Sequence, residues 1–185
     1  IFHPECFVMP DMLSDAKTAV FPSRHLTVQE FLMKTEALIW SLQTMCFFYC
    51  EDISAVCSEI QRVLTPGGKL ICSTYGKKHM QEVSRLVRDF DDRIVLSADK
   101  LYERFGRENG ADILAPYFSR IFWESYKDSL LVPDAEPLIS YILSCHGNQN
   151  QYLLDKYKDF RGFVSRKTKD GFFITKDAGI FLCEK

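Results

Sequence analysis

"EIQRVLTPGGKLICSTYG", Glu59 to Gly76, joins the end of an amphipathic pattern to a short apolar run and a polar corner, and the fold is read outward from it. From Asp52 the apolar residues Ile53, Val56, Ile60, Val63 and Leu64 recur at helical spacing, with Cys57 on the same stripe. That pattern predicts a helix with one buried face. Glu51 and Asp52 stand at its start, where Asp52 caps free N–H groups and both charges suit the positive end of the helix dipole. Pro66 cannot continue the helix, and Gly67-Gly68 supply the backbone freedom for a tight reversal. Leu70-Ile71-Cys72 then read as a strand buried on both faces, the usual case for a parallel sheet between helices. Beyond it the chain turns polar at Ser73, Thr74, Tyr75 and Gly76. Ligands of open α/β sheets bind outside the carboxyl ends of the strands, so this corner is a candidate functional edge.

Composition agrees with a globular α/β protein. A chain of 185 residues, 46% of them apolar, buries a sizeable core and has the usual size of one domain. The net charge of −2, without a long basic run, argues against a nucleic-acid partner. No apolar run approaches the roughly 20 residues of a membrane span, and the start "IFHPECFVMP" lacks the basic region and apolar core of a signal peptide. Seven cysteines without paired C-x-x-C spacing read as reduced thiols, which points to the cytoplasm. Cys46 with Cys50, or Cys145 beside His146, carry metal-ligand chemistry, but the reading adopted is buried or partly buried thiols and no metal. Phosphate-cradling loops are absent, which leaves nucleoside-triphosphate chemistry without support.

Further along, Met80, Val83, Leu86, Val87 and Phe90 predict a helix, completing a strand-to-helix unit. Ser97 suits the N-cap of a short helix carrying Leu101 and Phe105, and "GRENGADILAPYF" predicts another with Ile113, Leu114 and Phe118. "RIFWESYKDSLLV" alternates as one or two strands. Pro133-Asp134 opens a helix with Leu138, Ile139, Tyr141, Ile142 and Leu143, and one more helix is expected in "QYLLDKYKDFRGFV". The ending reads as two strands, Phe172 to Thr175 and Ile180 to Cys183, joined by a turn with Asp177 and Gly179.

These residues carry a resemblance. "SEIQRVLTPGGKLICSTYG" is similar to the helix, double-glycine turn and fifth strand of class I S-adenosylmethionine-dependent methyltransferases, in particular the small-molecule branch called the type 11 methyltransferase domain. "KKHMQEVSRLV", "FGRENGADIL", "EPLISYILSC" and "FFITKDAGIFLCEK" resemble the carboxyl-terminal part of bacterial members. "DMLSDAK", Asp11 to Lys17, resembles the helix start after the second strand. The resemblance covers residues 49–185 well and 1–48 only in fragments. It implies a Rossmann-like methyltransferase sheet, incomplete at its N-terminus, with a helical insertion and a C-terminal antiparallel hairpin, all in a single partial domain over 1–185.

The family's glycine-rich loop after the first strand and the ribose-binding acid after the second have no counterpart. No G-x-G-x-G occurs, and Phe7 stands at the acid's position, with Asp11 out of register. The implied protein is therefore amino-terminally truncated. "MKTEALIWSLQTMCFF", Met33 to Phe48, falls where the fourth strand belongs, which in the family reads like "SFDLVIANHVLFY". Joining the last base of each codon to the first two of the next gives an overlapping frame in which Met-Lys forces Glu and Met-Cys forces Val. That frame can spell "EDGSFDLVIANHVLF". Two readings stand for about Phe21 to Phe48: a frameshifted translation, or an ordinary amphipathic helix with Phe31, Leu32, Ala37, Leu38, Trp40, Ser41 and Leu42 on its packing face. The coding DNA decides between them.

Methyl transfer is an in-line displacement at a sulfonium methyl, so an enzyme mainly positions two reactants and removes a proton. The resemblance implies S-adenosylmethionine as cofactor and a small-molecule acceptor as substrate. It places Thr74 and Tyr75 on the substrate side and His79 as the base, the histidine suited to that task near neutral pH. Met12 matches a position near the adenine. Each has a plainer alternative: His79 a solvated residue in a first helical turn, Tyr75 a cover for the sheet edge, Met12 core packing. Trp123 and Tyr126 line a substrate pocket or belong to the core. Two functions remain open, a small-molecule methyltransferase and a non-catalytic remnant or binding protein without a complete cofactor site. A dehydrogenase is a weak third, its glycine fingerprint also being absent. Exposed sheet edges are expected to promote self-association.

Overall fold

The computed structural model describes residues 18–20, 38–44, 47–96, 100–145 and 147–185; Met12, Cys46, Ser97 and His146 lie outside them. The described strands are β1 (Thr18–Val20), β2 (Leu38–Thr44), β3 (Leu64–Tyr75), β4 (Arg120–Val132) and β5 (Phe172–Glu184). The helices are α1 (Ile53–Val63), α2 (Gln81–Phe90), α3 (Leu101–Arg104), α4 (Gly110–Leu114), α5 (Ala135–Ser144), α6 (Gln149–Leu153) and α7 (Tyr157–Thr168). They form a mixed α/β fold whose chain divides into two compact units. Among the described residues, a sheet unit takes those up to Gly76 with Tyr102–Tyr126 and Ala178–Lys185, and a helical unit takes those of Lys77–Leu101 with those of Lys127–Asp177.

The sheet has the order β1-β2-β3-β5-β4. β1, β2 and β3 are parallel, with Ser41 opposite Leu70 and Thr44 opposite Ser73, while β5 runs antiparallel to β3 from Leu70↔Cys183 to Tyr75↔Ala178. The Asp52 cap is formed: its Oδ1 accepts from the Ala55 amide at 2.9 Å. Below it Cys57, Ile60 and Val63 of α1 are buried, as are Leu70, Cys72, Phe181 and Cys183 of the sheet. Each fully buried apolar side chain of this size contributes about 1.5–3 kcal/mol. Ile71 and Leu182, opposite each other on the other face, are only partly covered, so β3 is buried on one face and not on both.

The double-glycine reversal is present, but inside the strand. Between Leu38↔Leu64 and Trp40↔Lys69, β2 advances two residues while β3 advances five, so Thr65–Gly68 make an excursion. Gly67 adopts φ +73°, a left-handed conformation that glycine enters without a steric penalty.

Three elements differ from the sequence reading. Residues Leu38–Thr44 form a strand and not a helix. The short apolar run fits either period, and a parallel neighbour with free ladder groups decides it. Phe172–Glu184 is one continuous strand where two and a turn are expected. Gly179 serves close approach instead: a Cβ there would stand 2.2 Å from the Glu124 carbonyl oxygen and 2.6 Å from the Trp123 ring. The last helical stretch is two helices, α6 and α7, broken at Leu154–Lys156. The core of the helical unit joins α2, α5, α6, α7 and β5 through residues that include Val87, Ile139, Ile142, Leu153, Phe160 and Ile174.

Candidate functional site

Two polar features follow β3, one in each unit. In the sheet unit the strand ends among rings. Phe47 and Phe48, in a 3-10 turn after β2, are buried, and Phe47 lies 4.8 Å from Phe105, which lies 5.9 Å from Phe181. Phe48 meets Tyr75 edge-on at 5.4 Å. Thr74 is fully buried, and its hydroxyl donates to the Phe105 carbonyl at 2.7 Å. Tyr75 is 6% exposed, and its carbonyl accepts from the Arg107 amide at 3.2 Å. Both residues predicted for the substrate side are thus engaged in packing α3 and its following turn against the strand. The Trp123 ring lies 4.7 Å from that of Phe181, tilted by 58°, and its Nε1 donates to Ser125, whereas Tyr126 is 65% exposed. Three residues apart on one strand, they face opposite sides and cannot line one pocket.

Cys57, Cys72 and Cys183 of this unit are buried. Burial, then the nearby Cys183, Cys50 and Asp52, pushes the Cys57 thiol up to about 12, so it stays protonated. Among the described residues no group of three or more His, Cys, Asp or Glu side chains is arranged to hold a metal ion.

In the helical unit the feature is a turn at Lys77–Met80, ahead of α2 and not within its first turn. Met80 has φ +53° and ψ 26°, a left-handed conformation that costs a non-glycine residue on the order of 1–3 kcal/mol and persists where its surroundings over-determine it. His79 is half-buried beside this strained residue, not solvated. Burial, and next the Lys176 ammonium, lower its pKa; Asp177 opposes them. The net direction keeps the imidazole neutral at pH 7, the form a proton acceptor needs. Lys176 in turn lies 3.3 Å from Asp128. Nothing in the sequence marked Met80, Thr175 or Glu82 as members of this arrangement; the absence of glycine at a left-handed position is invisible until the dihedral is known.

At the end of β3 rings fill the corner and the Thr74 hydroxyl proton is already committed to the Phe105 carbonyl. Met12, the residue expected near the adenine, lies outside the described residues.

The architecture is a mixed α/β fold in which β1, β2 and β3 run parallel and β5 runs antiparallel to β3. Among solved structures, the chain is similar to YcgJ from Bacillus subtilis, with 10% identity over 86% of this chain and 69% of that one and a TM-score of 0.50. It is also similar to a SAM-dependent methyltransferase of Thermotoga maritima, named a possible histamine N-methyltransferase (14% identity, 86% and 62%, TM-score 0.43). A third is phosphoethanolamine N-methyltransferase 2 of Haemonchus contortus, solved with S-adenosyl-L-methionine (17%, 86% and 36%, TM-score 0.42). The chain therefore spans 62% and 36% of the last two. At these identities the likeness is one of fold. No family model and no curated protein sequence matches the chain.

Proposed function

We propose that methyl transfer from S-adenosylmethionine to a small-molecule acceptor is the chemistry of this chain's lineage, and that this chain keeps its proton-acceptor side. The observation that carries the reading is the His79 turn: a neutral, half-buried imidazole held in a strained backbone four residues past the strand that resembles the family's fifth. His79 would take the proton of the acceptor's heteroatom at an imidazole nitrogen. The cofactor would supply an activated methyl.

A second reading, a non-catalytic remnant or binding protein without a complete cofactor site, is favoured by the burial of Thr74 and Tyr75. Calorimetric titration of the full chain with S-adenosylhomocysteine separates the two. Saturable one-to-one binding is expected from the first. A folded sample that releases no heat would leave the family resemblance as ancestry alone.

The expected partners follow from the same proposal: a small molecule, with neither nucleic acid nor membrane. No helix among the described residues is long and apolar enough to cross a membrane. β4 forms one edge of the sheet and exposes Phe122. Self-association along that edge is expected as a concentration-dependent rise in mass in light scattering, and a constant monomer mass would remove it.

A further inference from the structure

The turn that carries His79 is fastened to β5 on both sides of the imidazole. Ahead of it the Lys78 amide donates to Asp177 Oδ2 at 3.3 Å. Behind it the Met80 amide donates to the Thr175 carbonyl at 2.8 Å. Glu82, in the first turn of α2, completes the stitching: its Oε2 accepts from the Thr175 amide at 2.9 Å and its Oε1 from the Thr175 hydroxyl at 2.6 Å. Thr175 is thus gripped through amide, hydroxyl and carbonyl by two residues, Met80 and Glu82, that flank Gln81. Met80 is also held at its side chain, where the Tyr141 hydroxyl donates to Sδ at 3.4 Å. A left-handed methionine persists only under such constraint.

We propose that Glu82 is a positioning residue for His79: its two-point grip on Thr175 fixes the entry of α2, and through Met80 the orientation and burial of the imidazole. The chemical meaning rests on the proton-acceptor reading of His79, but the geometry does not. Glu82 has a plainer role open to it, as a negative charge at the start of a helix. The two roles differ in sign. The charged groups that act on the imidazole are Lys176 and Asp177 of β5, with Asp128 of β4 paired to Lys176, and Glu82 of α2, Lys77 and Lys78 are the other charged groups near it in the chain. Removing the carboxylate charge alone would make protonation of His79 harder and move its titration down. Releasing the turn would let water reach the ring and move it up.

The test follows the imidazole signal of His79 by NMR in the full chain, assigned by its loss in His79→Gln. In Glu82→Ala the titration midpoint is expected to shift upward, toward that of free imidazole. In Glu82→Gln it is expected to stay with or just below the parent, because the amide oxygen accepts from the Thr175 amide while its nitrogen donates to the Thr175 hydroxyl. An unmoved or downward-shifted midpoint in Glu82→Ala overturns the proposal. So does a Glu82→Gln midpoint raised as far as that of alanine. Should Glu82→Ala fail to fold, Thr175→Val removes one of the two bonds at little change in shape. A partial upward shift there supports the proposal, and none overturns it. Because this readout needs neither cofactor nor turnover, a failed titration with S-adenosylhomocysteine would sink the methyl-transfer reading and leave Glu82's role standing or falling by itself.

Discussion

Thr74 and His79 lie five residues apart and look equally functional in the sequence, yet the fold treats them in opposite ways. Thr74 is sealed in the sheet unit with its hydroxyl proton spent on a backbone carbonyl. His79 is left half-buried in a strained turn of the helical unit, stitched through backbone and carboxylate bonds. A polar residue after a buried strand therefore needs a partner, and the partner can be the chain itself. What marks Thr74 as structural is that its hydroxyl proton is already committed to the chain.

The largest effect tests whether the strand-end corner is truly packing. Phe105 is fully buried between Phe47 and Phe181 and lends its carbonyl to Thr74. Phe105→Ala should cost about 3–5 kcal/mol in urea unfolding, the usual range for removing a core phenylalanine. A loss below about 1 kcal/mol would mean that the rings are loosely stacked and the corner is available to a ligand. Thr74→Val probes the same corner more gently. It keeps the shape but leaves the Phe105 carbonyl without its donor, so it should cost about 1–3 kcal/mol. A threonine kept for a ligand would instead be replaced with little change in stability.

A third variant concerns β2. Ser41 faces Leu70 in the core, is wholly buried, and its hydroxyl meets no hydrogen-bond partner among the described residues. Ser41→Ala should stabilise the chain by about 1 kcal/mol, measured as a raised denaturation midpoint, since no bond is lost and a stranded polar group is removed. A loss of stability would show that the hydroxyl has a partner after all. The misfit accords with an overlapping frame that reads valine or isoleucine where this chain has serine, and codons for Met33 to Phe48 that cannot yield that string would dispose of it.

The legible parts of the sequence were those where one physical cause leaves one mark. The aspartates at 52 and 134 cap their helices as their position predicts, the second accepting from the Glu136 amide at 3.2 Å. The stripe of α1 and the strand around Leu70 follow from periodicity and burial. Glycine at 179 was misread because one residue type serves both turns and close approach, and only the neighbouring Trp123 shows which. Residues 38–44 were misread because seven residues are too few to separate the two periods, and the partner strand decides. At the candidate site His79 is singled out by the family resemblance and by its being a titratable side chain near neutral pH. Its clamp is not, because Glu82 and Thr175 are 93 residues apart and an ordinary glutamate in a first helical turn gives no sign of what it holds.

The smallest effect bears on the other half of the comparison. The folded-state pKa of His79 lies below the ordinary 6.5, through burial first and Lys176 second. Between those two values the unfolded chain binds a proton that the folded chain refuses, so stability is whole above pH 6.5 and falls as the pH drops below it. His79→Gln has no such proton. The gap in urea midpoint between parent and variant should therefore change across pH 6.5, moving in the variant's favour on the acid side. Thr74→Val, which removes no titratable group, should keep a constant gap over the same range. If the His79→Gln gap were also constant, the imidazole would be as well hydrated in the folded chain as in the unfolded one. The strained turn would then hold an ordinary surface histidine, and the distinction between the two polar features would reduce to exposure alone.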